Sequence, residues 1–534
     1  MSKKPSTIRI GRRYRANRLE GPYDVLVVGL GIGGLTAAAC LSKLGRKVCV
    51  LEQHYTAGGF THSYDRNGYE WDVGVHYIGD MGREFTLGRR LFDYITDDRL
   101  EWAPMDDHFD RIILGEEFFD LVAGREAYRD ALLEAFPDEQ AAIDGWLAKC
   151  RAVKSDMRLL VLSKLLPGWL GRRALARTSA DFRATTRQVL ERLTSNQKLI
   201  AVLTGQWGDI GLPPADSAFA VHATVAQHYL HGGFYPVGGA SRIAETIIPV
   251  IRESGGEVFT YADVDRIRVG KRGVEGVRMA DEHDINARCV ISNAGVFNTF
   301  ERLLAPEVSE RFGYTGRLRG VRRSMASICL YIGLEETAES LGLPKTNYWI
   351  YPGEHYERDL AAFLDDPSAE LPLAYISFPS AKDPDFQRRC PGRATIEIVA
   401  PAPHAWFEAW QDTTWGKRGE DYEALKEQLS QRLLAKLYEH FPHLEGRIDY
   451  YELSTTLSTD WFCRYPEGEI YGLDHDPQRL QQDWLRPKTE IPGLYLAGQD
   501  VLSCGVVGAM IGGFLAAVKA GGPRAWLLAR KMLG

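Results

Sequence analysis

The chain predicts an α/β fold, a parallel sheet with helices that binds a dinucleotide, interrupted by a second domain. Three observations carry this. An apolar run, Val25 to Val28, leads into Gly29, Gly31 and Gly34, spaced as G-x-G-x-x-G, and then into an Ala- and Leu-rich stretch. A second strand pattern, Lys47 to Leu51, ends on Glu52. The chain has 534 residues, too many for one ordinary core, so two intertwined domains are expected. Strand, glycines, helix, strand and acid in that order are the Rossmann-type fingerprint. Gly29 makes the tight turn, Gly31 lets a pyrophosphate approach the backbone, and Gly34 lets the helix pack on the sheet. The helix start, Gly33 included, offers free N–H groups and a positive dipole end to phosphate. Glu52, with Gln53 beside it, falls about twenty residues on, where a carboxylate accepts from ribose hydroxyls.

The remaining elements follow in order. Residues 1–21 form a basic arm, with Lys3, Lys4, Arg9, Arg12, Arg13, Arg15 and Arg18 against Glu20. No apolar h-region follows, so it is not a secretory signal; it either touches anionic lipid or a partner, or covers the first strand. Gly58, Gly59, Phe60, Thr61 and His62 bring a second glycine pair to the cofactor, a feature of flavoproteins with extended FAD rather than of NAD dehydrogenases. Asn67-Gly68 marks a hairpin. Asp72 to Tyr77 reads as a strand ending in His76 and Tyr77. Residues 83–225 are largely helical in pattern. Within them, 151–177 is Leu-rich with Trp169, and basic except for Asp156. It suits a membrane interface and equally an ordinary helix pair with a solvated basic face. Residues 234–241 return the chain to the nucleotide domain. Strands at 257–259 and 264–270 follow, then 288–295, where Asn293 sits in a polar turn. Val- and Tyr-rich runs within 311–485 read as an antiparallel sheet. Trp406, Phe407, Trp410 and Trp415 are more often core than substrate wall at such spacing, and 422–441 is an amphipathic helix. A strand then runs to Gly498 and Asp500 and into a glycine-rich helix opening at Gly505. The expected division is 22–110, 230–310 and 488–534 for the nucleotide domain, and 111–229 with 311–487 for the substrate domain.

This C-terminal stretch resembles the flavin motif of the amine oxidase and phytoene desaturase superfamily. The resemblance implies FAD, with Asp500 at the ribitol–phosphate region, Gly498, Val506, Val507 and Met510 near the flavin, the Val264 backbone at the adenine, and Asn293 in a family Ser-Asn-Ala turn. A polar strand-capping turn accounts for Asn293 equally well. More specifically, Gly58-Gly59-x-x-His62, the Asn-Gly hairpin and Asp72-x-Gly74-x-His76-Tyr77-x-Gly79 resemble the retinol saturase group, related to plant carotenoid isomerases and bacterial phytoene desaturases. Phe234–Ser241, Gly468–His475 and Tyr495–Asp500 carry the same resemblance, which spans the chain from about Tyr23. The chain departs from animal members in showing no membrane-anchoring N-terminal segment.

The resemblance implies an FAD oxidoreductase acting on a C=C bond of a long apolar substrate: a retinoid, carotenoid or unsaturated fatty-acyl chain. Saturation needs hydride from reduced flavin and a proton from the protein. The candidate acids are His76, Tyr77, Tyr471 and His475, with His76 first because histidine titrates near neutrality; a backbone hydrogen-bonding role is its alternative. A redox-neutral polyene isomerase, a carotenoid desaturase, a prenyl-lipid escort protein and an amine oxidase remain as other readings. No G-x-S-x-G, H-E-x-x-H or metal spacing occurs, and no second G-x-G-x-x-G. Electrons are therefore expected from transiently docked NAD(P)H, a separate reductase or the substrate. The net charge of −7 gives no drive toward nucleic acid. Eight scattered cysteines read as reduced packing residues of an intracellular protein. No run reaches the roughly 18–20 apolar residues of a spanning helix, so a cytoplasmic location, or a peripheral one at a membrane, is expected.

Overall fold

The computed structural model describes residues 6–533; Lys3 and Lys4 of the basic arm lie outside them. Six strands form an all-parallel sheet. From edge to edge they are Arg12–Arg13, Glu257–Thr260, Val48–Leu51, Val25–Val28, Val290–Ser292 and Leu494–Leu496. Start, middle and end of the chain thus lie side by side, with Val28 next to Ser292 and Ser292 next to Leu496. Successive strand residues face opposite ways. Val25, Val27, Val48 and Val50 pack with the helices Ile32–Lys43, Ser241–Glu253 and Gly505–Ala520. Leu26, Val28, Cys49 and Leu51 pack with a small antiparallel sheet of Val264–Gly270, Gly273–Met279 and Asp284–Asn286. Burial on both faces explains why these strands read as continuous apolar runs. The basic arm covers the sheet edge: Arg12 pairs beside Phe259, and the Ser6 and Thr7 hydroxyls donate to Asp65 at 2.6 and 2.7 Å.

A second sheet of seven strands runs Ile448–Ser454, Ser327–Leu334, Ala394–Pro401, Ala374–Ser377, Asn347–Tyr351, His108–Leu114, Glu117–Val122. It is antiparallel except for the parallel pair Asn347–Tyr351 with His108–Leu114. The stretch 83–225 is largely helical as expected, but the strands Trp102–Pro104, His108–Leu114 and Glu117–Val122 interrupt it. His108–Leu114 carries a buried acid, Asp110, which hides its apolar alternation, and its pairing with a strand far along the chain overrides local propensity. The hairpin Ser63–Arg66 with Tyr69–Asp72 turns at Asn67 and Gly68, both at positive φ (53° and 84°), as an Asn-Gly turn requires. Trp71 Nε1 donates to the Ile332 carbonyl at 2.9 Å, which fixes the hairpin to the second sheet.

The strand expected to reach Tyr77 stops at Asp72. The Asp72 carboxylate accepts from the Ala240 N–H at 3.0 Å and from the Ser63 and Tyr235 hydroxyls, and the chain then leaves the ladder. The aromatic cluster at His404–Trp410 is core: Phe407 is fully buried and Trp406 lies 5.0 Å from Phe363. The Leu-rich basic segment forms the helices Gln140–Leu165 and Gly168–Leu175. Val153, Leu160 and Leu165 point inward, while Arg151, Lys154 and Arg158 are exposed. No helix among the described residues is long and apolar enough to cross a membrane.

Candidate active site

A cavity of about 1010 Å3 opens between the two sheets, at the upper end of the about 300–1,000 Å3 usual for ligand sites. Its first part is made of backbone. Gly29, at φ 94°, turns the chain out of the first strand. No side chain caps the helix Ile32–Lys43 that follows, so its N–H groups face the cavity wall formed by Gly29, Gly31 and Gly33. A Cβ on Gly34 would meet the Gly29 carbonyl at 2.1 Å, so Gly34 is where helix and strand touch. A Cβ on Gly33 would meet Asn293 Oδ1 at 2.5 Å and Gly498 Cα at 2.6 Å. The glycine turn near the start of the chain is therefore keyed directly to the motif near its end. A Cβ on Gly59 would lie 2.8 Å from Gly31 Cα, so the second glycine pair closes over the first. The start of Gly505–Ala520 is likewise uncapped by any side chain, and its Val506 and Val507 line the cavity.

Polar groups complete this part. The Glu52 carboxylate accepts from the Leu30 and His54 N–H groups at 2.7 and 2.8 Å; burial raises its pKa while these bonds oppose the rise. Gln53 Oε1 accepts from Arg464 Nε at 2.8 Å. Thr61 donates to the Gly58 carbonyl at 2.8 Å, Phe60 stacks with Tyr465, and Val264 lies on the cavity wall near Glu52. His62 Nδ1 bonds the Gly59 carbonyl at 2.6 Å, and burial pulls its pKa down to about 4. Asp500 accepts from the Val296 and Leu473 N–H groups at 2.8 and 3.2 Å, still lining the cavity. Met510 is fully buried in the core and His475 is buried behind the wall; neither lines the cavity. His475 Nε2 accepts the Cys504 N–H at 2.7 Å, so it holds the start of the last long helix.

The other part of the wall carries titratable side chains. His76 Nδ1 lies 3.0 Å from Glu397 Oε2. Burial, with the Lys382 charge, brings His76 down to about 3, so it does not titrate near neutrality as expected. Burial lifts Glu397 to about 8 against the pull of Lys382, and burial lowers Lys382 to about 7. Lys382 donates to the His76 carbonyl at 3.0 Å, to Ser377 Oγ at 2.7 Å and to Asn347 Oδ1. The Tyr77 hydroxyl donates to Asp110 Oδ2 at 2.8 Å and lies 3.1 Å from Asp209 Oδ2. Tyr471 lines the cavity and donates to the Gly208 carbonyl at 2.9 Å. Asp209, Asp110, Glu397 and Lys382 were not anticipated from the sequence. A signal existed for two of them: Glu397 is the lone charge in Ala394–Pro401, and Asp209 the lone charge across 199–212.

The family described as flavin containing amine oxidoreductase matches residues 32–520. The chain belongs to that family. It is similar to the human all-trans-retinol 13,14-reductase, at 39% identity over 94% of this chain and 86% of that one. It is also similar to the neurosporene-forming phytoene desaturase of Rhodobacter capsulatus, at 27% identity over 90% of each. Among solved structures, an oxidoreductase from Methanosarcina mazei covers 92% of this chain and 98% of its own, with a TM-score of 0.64 and 16% identity, which shows the fold. The protein is an FAD-dependent oxidoreductase. Its site fits that cofactor: two uncapped helix starts, a backbone cradle that any Cβ would fill, and a buried carboxylate at the end of the second strand.

Proposed function

We propose that this flavoenzyme saturates one C=C bond of a long polyene, a retinoid in the first place. One observation carries the reading: the backbone cradle and an apolar, aromatic compartment are one continuous cavity. Val221, Val225 and Tyr229 wall this compartment, which suits a polyene and excludes water from the reacting carbons. Reduced FAD, when bound, supplies the hydride for one carbon of the double bond. Gly31 and Gly33 hold the pyrophosphate, Glu52 the ribose, Val264 the adenine side, and Gly498, Asp500 and the Val506–Val507 turn the flavin end. Tyr77, Tyr471 and His76 are the polar groups that orient the substrate beside it. Similarity to the retinol reductases along nearly the whole chain supports reduction of C=C over oxidation of amines.

Two further parts belong to this reading. Electrons reach the flavin from NAD(P)H or a separate reductase, since the sequence has a single G-x-G-x-x-G. The cavity mouth rests on an anionic bilayer: Phe85 and Leu162 are 70% and 45% exposed there, beside Arg83, Arg90, Lys154 and Arg158. Apolar side chains ringed by cations suit the headgroup region. The test is product analysis after incubation with chemically reduced holoenzyme and a panel of retinoids, carotenoids and unsaturated fatty acids. A product with one C=C bond fewer is expected. A product of unchanged mass and altered geometry would replace saturation by isomerisation.

A further inference from the structure

We propose that Asp209 protonates the substrate carbon next to the one that receives hydride, with Tyr77 and Asp110 keeping that proton on it. The inference rests on the saturase reading above and names the acid that reading requires. The argument is a count of hydrogens. The Tyr77 hydroxyl has one hydrogen and two carboxyl groups within reach, Asp110 at 2.8 Å and Asp209 at 3.1 Å. Asp110 also accepts from Gln206 Nε2 at 2.7 Å and from Asn347 Nδ2 at 2.9 Å. Three donors converge on Asp110, so it is the carboxylate and it takes the phenol hydrogen. The contact between Tyr77 and Asp209 then needs a hydrogen from Asp209. No other protein donor reaches the Asp209 carboxyl among the described residues. Two carboxyl groups sharing one hydroxyl do not both ionise readily.

The charge balance agrees. Burial, with the Asp110 charge added, lifts Asp209 to about 8, while Asp110 rises only to about 6. Near neutral pH the pair therefore holds a proton, and the hydrogen-bond count places it on Asp209. The groups facing Asp209 are Asp110, Tyr77, Tyr229, Tyr375, Tyr471 and Cys504, with Tyr351 beyond them and Lys382 on the far side of Asp110. None of those nearest it is a cation.

Asp209 is also in the right place. It lines the cavity and is partly exposed to it. The turn Trp207–Asp209 is held on both sides: the Gly208 carbonyl accepts from Tyr471, and the Asp209 carbonyl accepts from Cys504 Sγ at 3.6 Å. Cys504 immediately precedes the helix whose Val506 and Val507 reach the cavity. The acid thus stands under the helix start assigned to the flavin end. Reduced flavin, when bound, would supply the hydride for the new C–H bond at one carbon, and the π pair would move to the neighbouring carbon. That pair takes the Asp209 hydrogen, which turns from the Tyr77 oxygen to the substrate. Asp209 is left as carboxylate, and water admitted as product leaves returns the proton. An external two-electron donor, NAD(P)H or a reductase, would supply the electrons for the next turnover.

The test uses holoenzyme of the wild type, Asp209→Asn and His76→Gln. Asn keeps the shape and can still donate to Tyr77, so the fold is retained. The infrared difference between wild type and Asp209→Asn, taken in H2O and D2O, is expected to show a deuterium-sensitive protonated-carboxyl C=O band at neutral pH, beyond the band that Glu397 contributes to both proteins. Single turnover of the reduced enzyme with the polyene should slow by about 100-fold or more in Asp209→Asn, the usual span of general acid catalysis, with flavin content and polyene binding unchanged. The wild-type rate should fall as pH rises through about 8, and Asp209→Asn should lose that limb. A spectrum that Asp209→Asn leaves unchanged from wild type, or a rate within a few-fold of wild type, overturns the proposal; so does loss of the Asp209 band in His76→Gln alone. If wild type reduces no polyene, the saturase reading falls and the donor assignment with it, while the infrared band separately reports where the proton sits.

Discussion

The cavity has two walls built in opposite ways. The nucleotide wall is backbone: glycines at 29, 31, 33, 58, 59 and 498, and two helix starts without side-chain caps. The facing wall is side chain: His76, Tyr77 and Asp209, backed by the buried Asp72, Asp110, Lys382 and Glu397, to which hydrogen bonds join it. A phosphate-bearing cofactor is recognised by N–H groups whose charge does not change with pH. Proton movement needs groups whose charge can change, kept dry enough for their pKa values to move apart. On the reading proposed above, the difference separates the wall that would bind from the wall that would react.

Substitutions that break the comparison rank by how much of a wall they remove. Gly33→Val should act most strongly. Its side chain would enter the space of Asn293 Oδ1 and Gly498 Cα, and the purified protein should be folded but colourless; retained flavin absorbance would show that this cradle does not hold the cofactor. Lys382→Met comes next. It leaves the His76 carbonyl, Ser377 Oγ and Asn347 Oδ1 without their shared donor, and should lower unfolding free energy by about 2 kcal/mol or more while FAD stays bound. Denaturant titration reads this, and an unchanged midpoint would remove Lys382 from the network.

Glu397→Gln sharpens the comparison through pH. Burial raises the Glu397 pKa from its ordinary value to about 8. A raised carboxyl adds stability that is present below its unfolded pKa and is lost as pH rises through the folded value. The Gln variant carries no such term, so its stability relative to wild type should improve between about pH 5 and pH 9. A pH-independent difference would contradict the assignment. The smallest effect is at the mouth. Leu162→Asp should weaken co-sedimentation with vesicles containing anionic lipid by several-fold, without changing flavin content. Deletion of the segment would be a poorer test, because Val153, Leu160 and Leu165 of the same helix are core. Equal sedimentation of the two proteins would make that face ordinary solvated surface.

How much the sequence disclosed follows the same division. Most of the cradle lies within a few tens of consecutive residues, with Asn293 and Gly498 meeting it from far along the chain, and the task of each early glycine is local, so Gly29 to Glu52 and the Asn67-Gly68 hairpin read directly. The reacting wall draws its side chains from the segments at 72–77, 110, 209, 382 and 397, which meet only because the second sheet pairs strands distant in sequence. Its groups matter because burial moves their pKa values, and burial exists only after folding. His76 illustrates this: a histidine suggests titration near neutrality, and its surroundings remove it. The lone charges in Ala394–Pro401 and across 199–212 were the available clue, since an acid in an otherwise apolar run must be paired, protonated or functional.

The central claim is that the two walls serve one reaction, and an anaerobic titration tests it most directly. Holoenzyme is reduced, all-trans-retinol or a related polyene is added, and flavin absorbance is followed. The account predicts one flavin reoxidised for each double bond lost, in wild type. Reduced flavin that persists with every polyene offered, while the compartment binds them, would contradict it.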